Sequence, residues 1–344
     1  MGRVVLVTGV SRDLGGRFAR SICTDPEVDR VVGVDVVPPR HDLGDVRFVR
    51  ADIRNPVIAK VIAAEEVDSV VHLGVIATPR GAGGRTSMKE INVIGTMQLL
   101  AACQQAAGVE RLIVKSSAGV YGSSAKDPAM FSEDMAPRRM PRSGFGKDSV
   151  EVEGYVRGFA RRRPDVDVTT LRCANLIGPR IETSLTRYFS LPVIPTVLGY
   201  DARLQFCHED DALAALHHAL SAGVPGTFNV AGDGVLMLSQ AVRRLGRPSV
   251  AVPAAALGLL GSLVPQARRA DLTTEHAAFL THGRGVDTTR MRQLLGFEPS
   301  ATTASAFDDF ARRLGAGVLD PARLEELEQQ LSSFLAKAVP DGRR

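Results

Sequence analysis

Gly9, Gly15 and Asp35 are the first residues in this chain whose types and spacing point to chemistry. Gly9 follows the apolar run Val4-Val5-Leu6-Val7 and Thr8, and Gly15 stands inside Leu14–Arg20, where a helix begins. A strand feeding a helix through such a turn aims backbone N–H groups, and the positive end of the helix dipole, at one spot. That spot suits a pyrophosphate. Gly9 allows the tight turn and Gly15 lets the helix pack on the strand, while Ser11, Arg12, Asp13 and Leu14 would wrap the anion. Turns of this kind carry three glycines; here the middle position is Arg12 or Asp13, depending on spacing, so an ordinary βα turn remains the alternative.

Asp35 closes the next apolar run, VVGVD, twenty residues after Gly15. A carboxylate there bonds both adenosine ribose hydroxyls and repels a 2′-phosphate. The expected cofactor is therefore NAD. NADP is the less favoured alternative, since Arg12 and Arg40 offer a phosphate positive charge. Asp52 and Ile53 follow a third apolar run, where the adenine edge would lie; Asp52 also reads as a helix N-cap before Asn55-Pro56.

These residues need a parallel sheet to hold them. Apolar runs at Val31–Asp35, Val46–Val49, Ser69–Leu73, Arg111–Ser116, Val166–Arg172 and Thr227–Val230 read as strands. Helical patterns lie between them, notably Thr86–Ala107 and Lys147–Arg163. Such alternation predicts an α/β fold, a Rossmann-type doubly wound parallel sheet of about seven strands. After Gly232 the pattern turns helical, with segments at Asp287–Leu295 and Ala304–Leu314, so a smaller, mostly helical C-terminal substrate domain is expected. Residues 1–176, completed by about 200–233, form the expected NAD-binding domain. Residues 177–199 and 234–314 form the substrate region, and 315–344 a helical tail. That tail carries Leu324, Leu327, Leu331 and Leu335 as one packing stripe.

The whole chain agrees with a globular protein rather than a fibrous, disordered or membrane one. Of 344 residues 44% are hydrophobic and 23% charged, and the net charge is +4. The arginine clusters at 161–163, 243–247 and 268–269 are scattered and lack interleaved aromatics, which argues against nucleic acid as a partner. Cys23, Cys103, Cys173 and Cys207 are widely spaced, which fits a reducing compartment and not a zinc site. The first strand starts at Arg3, so a cytoplasmic location without a secretory leader is expected. The apolar run Ser249–Pro265 is short for a membrane span and contains Pro253; it reads as a helix packed on the domain, with membrane contact the minor alternative.

Segments in a fixed order add a resemblance. VTGVSRDLGG (7–16), VGVDV (32–36), ADIRN (51–55), VVHLGV (70–75), NVIGT (92–96) and SSAGVYG (116–122) come first. SED (132–134), LRCANLIGPR (171–180), QFCHEDDALAAL (205–216), GTFNVAGDG (226–234) and TTRMRQLLGFEP (288–299) follow. Over residues 3–312 the chain resembles the extended short-chain dehydrogenases/reductases of the NAD-dependent epimerase/dehydratase type. The resemblance implies roles by position. Ser117 would bond the reacting oxygen, and Lys147 would grip the nicotinamide ribose. Leu73, Gly74, Val75, Asn92 and Ser116 would line the cofactor, and Asn175 would approach the substrate pyrophosphate. It also implies a small-molecule substrate such as a nucleotide sugar, no metal, and a homodimer through the two long helices. The residues alone leave plainer roles open: Ser116 and Ser117 as strand-end residues, Asn92 as a sheet-bonding residue, Lys147 as a helix-start lysine.

One departure concerns the chemistry itself. Enzymes of this type carry a tyrosine four residues before the lysine, whose phenolate takes the hydroxyl proton. Here that position is Ser143, in SGFGK. Tyr121, Glu133, His72 and His208 are the available substitutes, although both histidines read more simply as core or loop residues. The substrate motif R-D-[FY]-x-H also differs, with Leu204 in the Arg position, Arg203 beside it and Gln205 in the Asp position. Two readings follow: an NAD-dependent oxidoreductase with an altered acid–base site, in which Ser117, Ser143 and Lys147 mark the catalytic positions, or an NAD(P)-binding sensor without turnover.

Overall fold

A computed structural model of the protein describes residues 2–77, 83–141, 144–254, 273–315 and 317. β1 (Arg3–Thr8) leads through the Gly9 turn to α1 (Asp13–Ile22) and β2 (Val28–Asp35). Then come β3 (Arg47–Arg50), α2 (Val57–Ala64) and β4 (Ser69–His72). α3 (Arg85–Lys89) continues through a π-turn at Glu90–Ile94 into α4 (Gly95–Gln105). β5 (Arg111–Ser117), α5 (Gly144–Arg162) and β6 (Asp167–Cys173) follow.

A more irregular stretch comes next. It comprises β7 (Asn175–Ile177), α6 (Ser184–Phe189), β8 (Ile194–Val197), β9 (Arg203–Leu204) and β10 (Phe206–His208). α7 (Glu209–Ala222) and β11 (Gly226–Val230) return to the main sheet. Beyond them lie β12 (Leu236–Met237), α8 (Leu238–Arg244), β13 (Ser249–Val252), α9 (Thr274–His282) and α10 (Thr303–Leu314).

Seven parallel strands form the central sheet in the order β11-β6-β5-β4-β1-β2-β3. The chain winds outward from β1 to β3, returns to β4 and winds the other way. The carboxyl ends of β1 and β4 therefore flank a topological switch point, where a crevice opens. The central strands β1, β4, β5 and β6 are largely buried on both faces, which explains their apolar runs, whereas the edge strand β3 is exposed or half-buried throughout. Along β1, Val5 and Val7 join Phe18, Ile113 and Leu216 in one core. Leu6 faces the other way, with Val70, Leu99 and Phe159. The seven expected sheet strands are all present.

A third core gathers Phe189, Phe206, Phe307 and Phe310 around α6 and α10. Phe189 and Phe307 meet edge to face, with centroids 5.1 Å apart. Burying each such ring is worth ~1.5–3 kcal/mol, enough to fix these elements against the sheet. This region is less purely helical than its sequence suggests, because β9–β12, β7–β10 and β8–β13 form three two-stranded ladders. The run at Ser249–Pro265 is the main correction. Ser249–Val252 is β13, paired parallel to Ile194–Val197, because its two valines favour extended backbone and Pro253 ends the ladder. Residues 255–265 lie outside the described residues, as do Ser143 and the tail stripe Leu324–Leu335.

Among the described residues no helix is long and apolar enough to cross a membrane, and no group of three His, Cys, Asp or Glu could hold a metal ion.

Candidate active site

The Gly9 turn is built for close approach. Gly9 has φ +81°, and a Cβ there would lie 2.9 Å from the Cα and N of Gly74, at the mouth of β4. A Cβ on Gly15 would collide with the carbonyl oxygen of Gly9. α1 has no side-chain cap, and its first-turn amides at Asp13, Leu14 and Gly15 have no acceptor one turn back. These N–H groups could hold an anion. Asp35 closes the far side of the turn: Ser11 N–H donates to Asp35 Oδ2 at 3.0 Å, and Val36 N–H to Oδ1 at 2.8 Å. Its carboxylate keeps free lone pairs for a ribose. Arg12 stands half-buried at the missing-glycine position, beside Asp35, and burial pulls its guanidinium below the usual range.

The floor of the crevice is a hydrogen-bond relay. Thr8 Oγ1 lies 2.8 Å from His72 Nδ1, and His72 Nε2 lies 2.8 Å from Thr96 Oγ1. Thr96 spends its own proton on Asn92 O, so Nε2 carries the ring hydrogen and Nδ1 accepts from Thr8. Thr8 Oγ1 in turn accepts from the N–H groups of Leu73 and Gly74, at 3.2 and 3.1 Å. His72 is a buried neutral imidazole, its pKa pushed down to about 4 by desolvation. That removes it as an acid–base substitute.

A cavity of about 460 Å³ lies between the carboxyl ends of the strands and the N-terminus of α9. Val75, Lys115, Ser117, Asn175, Phe145 and Glu275 are among the residues that line it. Lys115 and Ser117 share one face of β5, being two residues apart. Ser117 Oγ accepts from Gly119 N–H at 3.0 Å, capping the short turn Ala118–Tyr121 and leaving its own proton to donate. Lys115 lines the cavity wall and forms no hydrogen bond or ion pair among the described residues.

Several expected site residues point elsewhere. Ser116 is buried and donates to Glu153 Oε1 at 2.6 Å, because strand alternation turns it toward α5. Asn92 is fully buried: its Oδ1 accepts from Ile76 N–H, and its Nδ2 donates to Ile76 O and Asp148. It therefore fixes the loop after β4 and has no exposed atom for a ribose. Asp52 is not the cap of α2, whose N-cap is Pro56; Arg54 clasps its carboxylate and lowers its pKa. Ile53 packs on Gly95. Lys147 lies 3.8 Å from Glu151, with its side chain 43% exposed, and is absent from the cavity lining.

The remaining substitutes are structural. Tyr121 is buried, its hydroxyl donating to Asn229 Oδ1 and accepting from Arg172. Glu133 Oε1 accepts from Asn229 N–H. His208 caps α7 through Asp210 N–H and meets Asp309 at 3.2 Å. Gln205 is buried and bridges Gly232 O and Val286 N–H, so it braces the segment after α9.

The model of the NAD-dependent epimerase/dehydratase family matches residues 5–231. The chain belongs to this family. An uncharacterised protein of Mycobacterium tuberculosis (strain H37Rv) is 50% identical over 331 residues, covering 95% of this chain and 88% of that one. A UDP-glucose 4-epimerase of Neisseria gonorrhoeae is 30% identical over 185 residues, 51% of this chain and 53% of its own. The fold resembles a Thermotoga maritima UDP-glucose 4-epimerase with UDP-glucose at a TM-score of 0.69 and 18% identity, covering 90% of this chain and 98% of that one. A Bacillus cereus UDP-glucuronic acid 4-epimerase with UDP-glucuronic acid and NAD gives 0.70, also at 18% identity and with the same coverage.

For a member of this family, the most informative residues are ones the motifs do not contain. Glu275, from the first turn of α9, reaches the N-terminus of α5. It accepts from Gly146 N–H at 3.0 Å through Oε1 and 3.3 Å through Oε2. A Cβ on Gly144 would collide with Glu275 Oε2, and one on Gly146 would lie 2.7 Å from Oε1. The two glycines of SGFGK thus make the room that Glu275 fills. Arg284 is half-buried nearby, donating to Gly122 O at 2.8 Å and lying over Phe279. Arg85 makes a two-pronged pair with the buried Asp148, next to Lys147. The doubled glycine before Lys147 was the signal available in the sequence that another group occupies this space.

Proposed function

We propose that the protein is an NAD-dependent oxidoreductase that oxidises a hydroxyl of a nucleotide sugar or related alcohol by hydride transfer, with an acid–base site altered at position 143. The observation that carries this reading is the turn at Gly9, closed by Asp35 over Ser11, at a switch point that opens into the cavity beside Ser117.

The residues present fit the dinucleotide. The cradle of Asp13, Leu14 and Gly15 amides suits the pyrophosphate, and a side chain on Gly15 would collapse it. Asp35 takes the adenosine ribose hydroxyls and disfavours a 2′-phosphate, while the charge of Arg12 offsets part of that repulsion. Bound NAD supplies the hydride acceptor. Ser117 donates its free proton to the reacting oxygen, Asn175 approaches the diphosphate of the substrate, and Lys115 and Arg284 hold positive charge along the cavity. Lys147 reaches the nicotinamide ribose only by leaving Glu151.

Isothermal titration with NAD and UDP-glucose, followed by a single-turnover search for reduced nicotinamide, tests this function. Binding of NAD with formation of reduced nicotinamide supports it. Binding without turnover, across a panel of nucleotide sugars and simple alcohols, would favour the sensor reading, which draws on the serine at 143 and the outward Lys147. The same family reading supports a cytoplasmic enzyme that pairs as a homodimer through α4 and α5; a monomer in sedimentation at micromolar concentration would exclude the dimer.

A further inference from the structure

We propose that Glu275 is the acid–base group of this site, delivered by α9 to the place where the chain lacks a tyrosine. The inference rests on the oxidoreductase reading above and names the group that would move the proton.

Geometry carries it. Three glycines surround the Glu275 carboxylate. Gly144 and Gly146 leave space for it at the start of α5, and Gly119 leaves space between it and Ser117. A single Cβ on Gly119 would lie 3.2 Å from Ser117 Oγ and 3.7 Å from Glu275 Oε1. The hydroxyl that positions the reacting oxygen and the carboxylate that would take its proton thus face one small gap on the cavity wall. Family enzymes place a phenol one helical turn before the lysine. Here α5 carries two glycines in that turn, and the acid–base side chain arrives from α9 instead.

The placement of α9 is firm. Thr273 caps it, and Phe279 and Leu280 are buried beneath it. At its end Gly283, φ +70°, packs on the backbone of Arg203, and Arg284 N–H donates to Arg203 O at 3.0 Å. Phe131 holds the segment that follows, its N–H donating to Gly285 O and its carbonyl accepting from Asp287 N–H, both at 2.9 Å.

The electrostatics suit proton transfer. Burial pushes the Glu275 carboxyl above the usual carboxylate range, against the opposing pull of the Gly146 N–H, Arg284 and Arg85. Arg284 after α9 and Arg85 at the start of α3 act on it directly, and Lys115 on β5, Arg139 before α5 and His276 on α9 line the same cavity. A carboxylate whose affinity for a proton is raised toward neutrality is a better base than a serine hydroxyl. In the step proposed, the substrate O–H bond breaks and its proton passes to Glu275. The C–H electron pair leaves as hydride for the bound nicotinamide, which is reduced as the alcohol becomes a carbonyl. The reverse direction returns both.

A purely structural role is the rival, since Glu275 also caps α5 through Gly146. Glu275→Gln separates the two, because an amide oxygen still accepts from Gly146 but cannot take a proton. The expected result is unchanged NAD affinity and thermal midpoint, with single-turnover reduction of NAD by UDP-glucose slowed by about 10²–10⁴. Ser143→Tyr added to Glu275→Gln should restore part of the rate and move its pH dependence to that of a phenol. Independently of turnover, difference infrared spectroscopy should show a protonated carboxyl band that titrates above the ordinary carboxylate range and vanishes in Glu275→Gln.

Full turnover in Glu275→Gln with NAD bound would overturn the proposal and leave the oxidoreductase reading standing. A Glu275 carboxyl that titrates in the ordinary range would overturn it whatever the substrate. Failure of the unaltered protein to bind NAD would overturn both.

Discussion

Arg85 clasps Asp148 at both ends, Nη1 to Oδ2 and Nη2 to Oδ1, each at 2.6 Å. The arginine is part-exposed and the aspartate wholly buried. This pair joins the start of α3 to the first turn of α5, and Arg85 also donates to Gly144 O at 3.0 Å. It therefore sets where Gly144, Gly146 and Lys147 stand. Arg85→Met would leave Asp148 with Asn92 as its only remaining side-chain partner among the described residues. The expected loss is ~1–3 kcal/mol, reduced from the fully buried case because solvent reaches Arg85. Urea denaturation at neutral pH checks it, and an unchanged midpoint would show the pair to be dispensable.

The sheet was readable because burial on both faces writes itself into the sequence as short unbroken apolar runs, as at Val4–Val7 and Leu112–Val114. The turn and Asp35 were readable because they act through local geometry, a few residues from their strands. Asn92 and Ser116 misled for the opposite reason. Their partners Asp148 and Glu153 lie 56 and 37 residues away, and only the packing of α5 reveals that both side chains are already satisfied. Glu275 lies 129 residues from Gly146. A pairing at that separation leaves no periodic trace, and the glycines that accommodate it read as mere gaps. The strand at Ser249–Val252 was hidden by the apolar run that continues beyond it.

Cofactor preference follows from Asp35. Its carboxylate would face a 2′-phosphate across the Gly9 turn, while Arg12 would favour one. NAD is therefore expected to bind more tightly than NADP. Asp35→Ala should narrow the gap, and Arg12→Ala should widen it. Isothermal titration of both dinucleotides against the three proteins measures this. Tighter NADP binding by the unaltered protein would remove Asp35 from the ribose.

Stability should fall in mild acid because of His72. The unfolded imidazole takes up a proton near pH 6.5, whereas the folded one does so near 4. Between those values the unfolded state binds more protons, so the contribution is fully present above 6.5 and is lost as pH falls toward 4. The shift corresponds to about 3 kcal/mol at most. His72→Gln should be less stable at neutral pH, having lost part of the relay between Thr8 and Thr96, yet should show a shallower decline. Urea midpoints at several pH values for both proteins decide it; parallel curves would assign the acid sensitivity to other groups.

Tyr121 is expected to matter for stability and not for chemistry. Its hydroxyl donates to Asn229 Oδ1 at 2.8 Å and accepts from Arg172 Nη1 at 2.7 Å, and its ring stacks on Phe131 with centroids 4.6 Å apart. Arg172 is in turn bound to Glu153 in a buried pair at 2.7 Å. Desolvation raises the phenol above its ordinary pKa, which opposes formation of a phenolate. Tyr121→Phe keeps the stacked ring but leaves Asn229 Oδ1 without its donor, at a cost of ~1–3 kcal/mol. Glu153→Gln strips the buried Arg172 of its counter-charge and should cost more, ~3–5 kcal/mol. Neither change touches the cavity wall that holds Ser117 and Glu275. Single-turnover rates measured where both variants remain folded should therefore match the unaltered protein, while their denaturation midpoints fall in that order. A folded Tyr121→Phe protein that binds NAD but no longer transfers hydride would return the acid–base role to Tyr121, and with it the need to explain how a buried, doubly bonded phenol reaches a substrate.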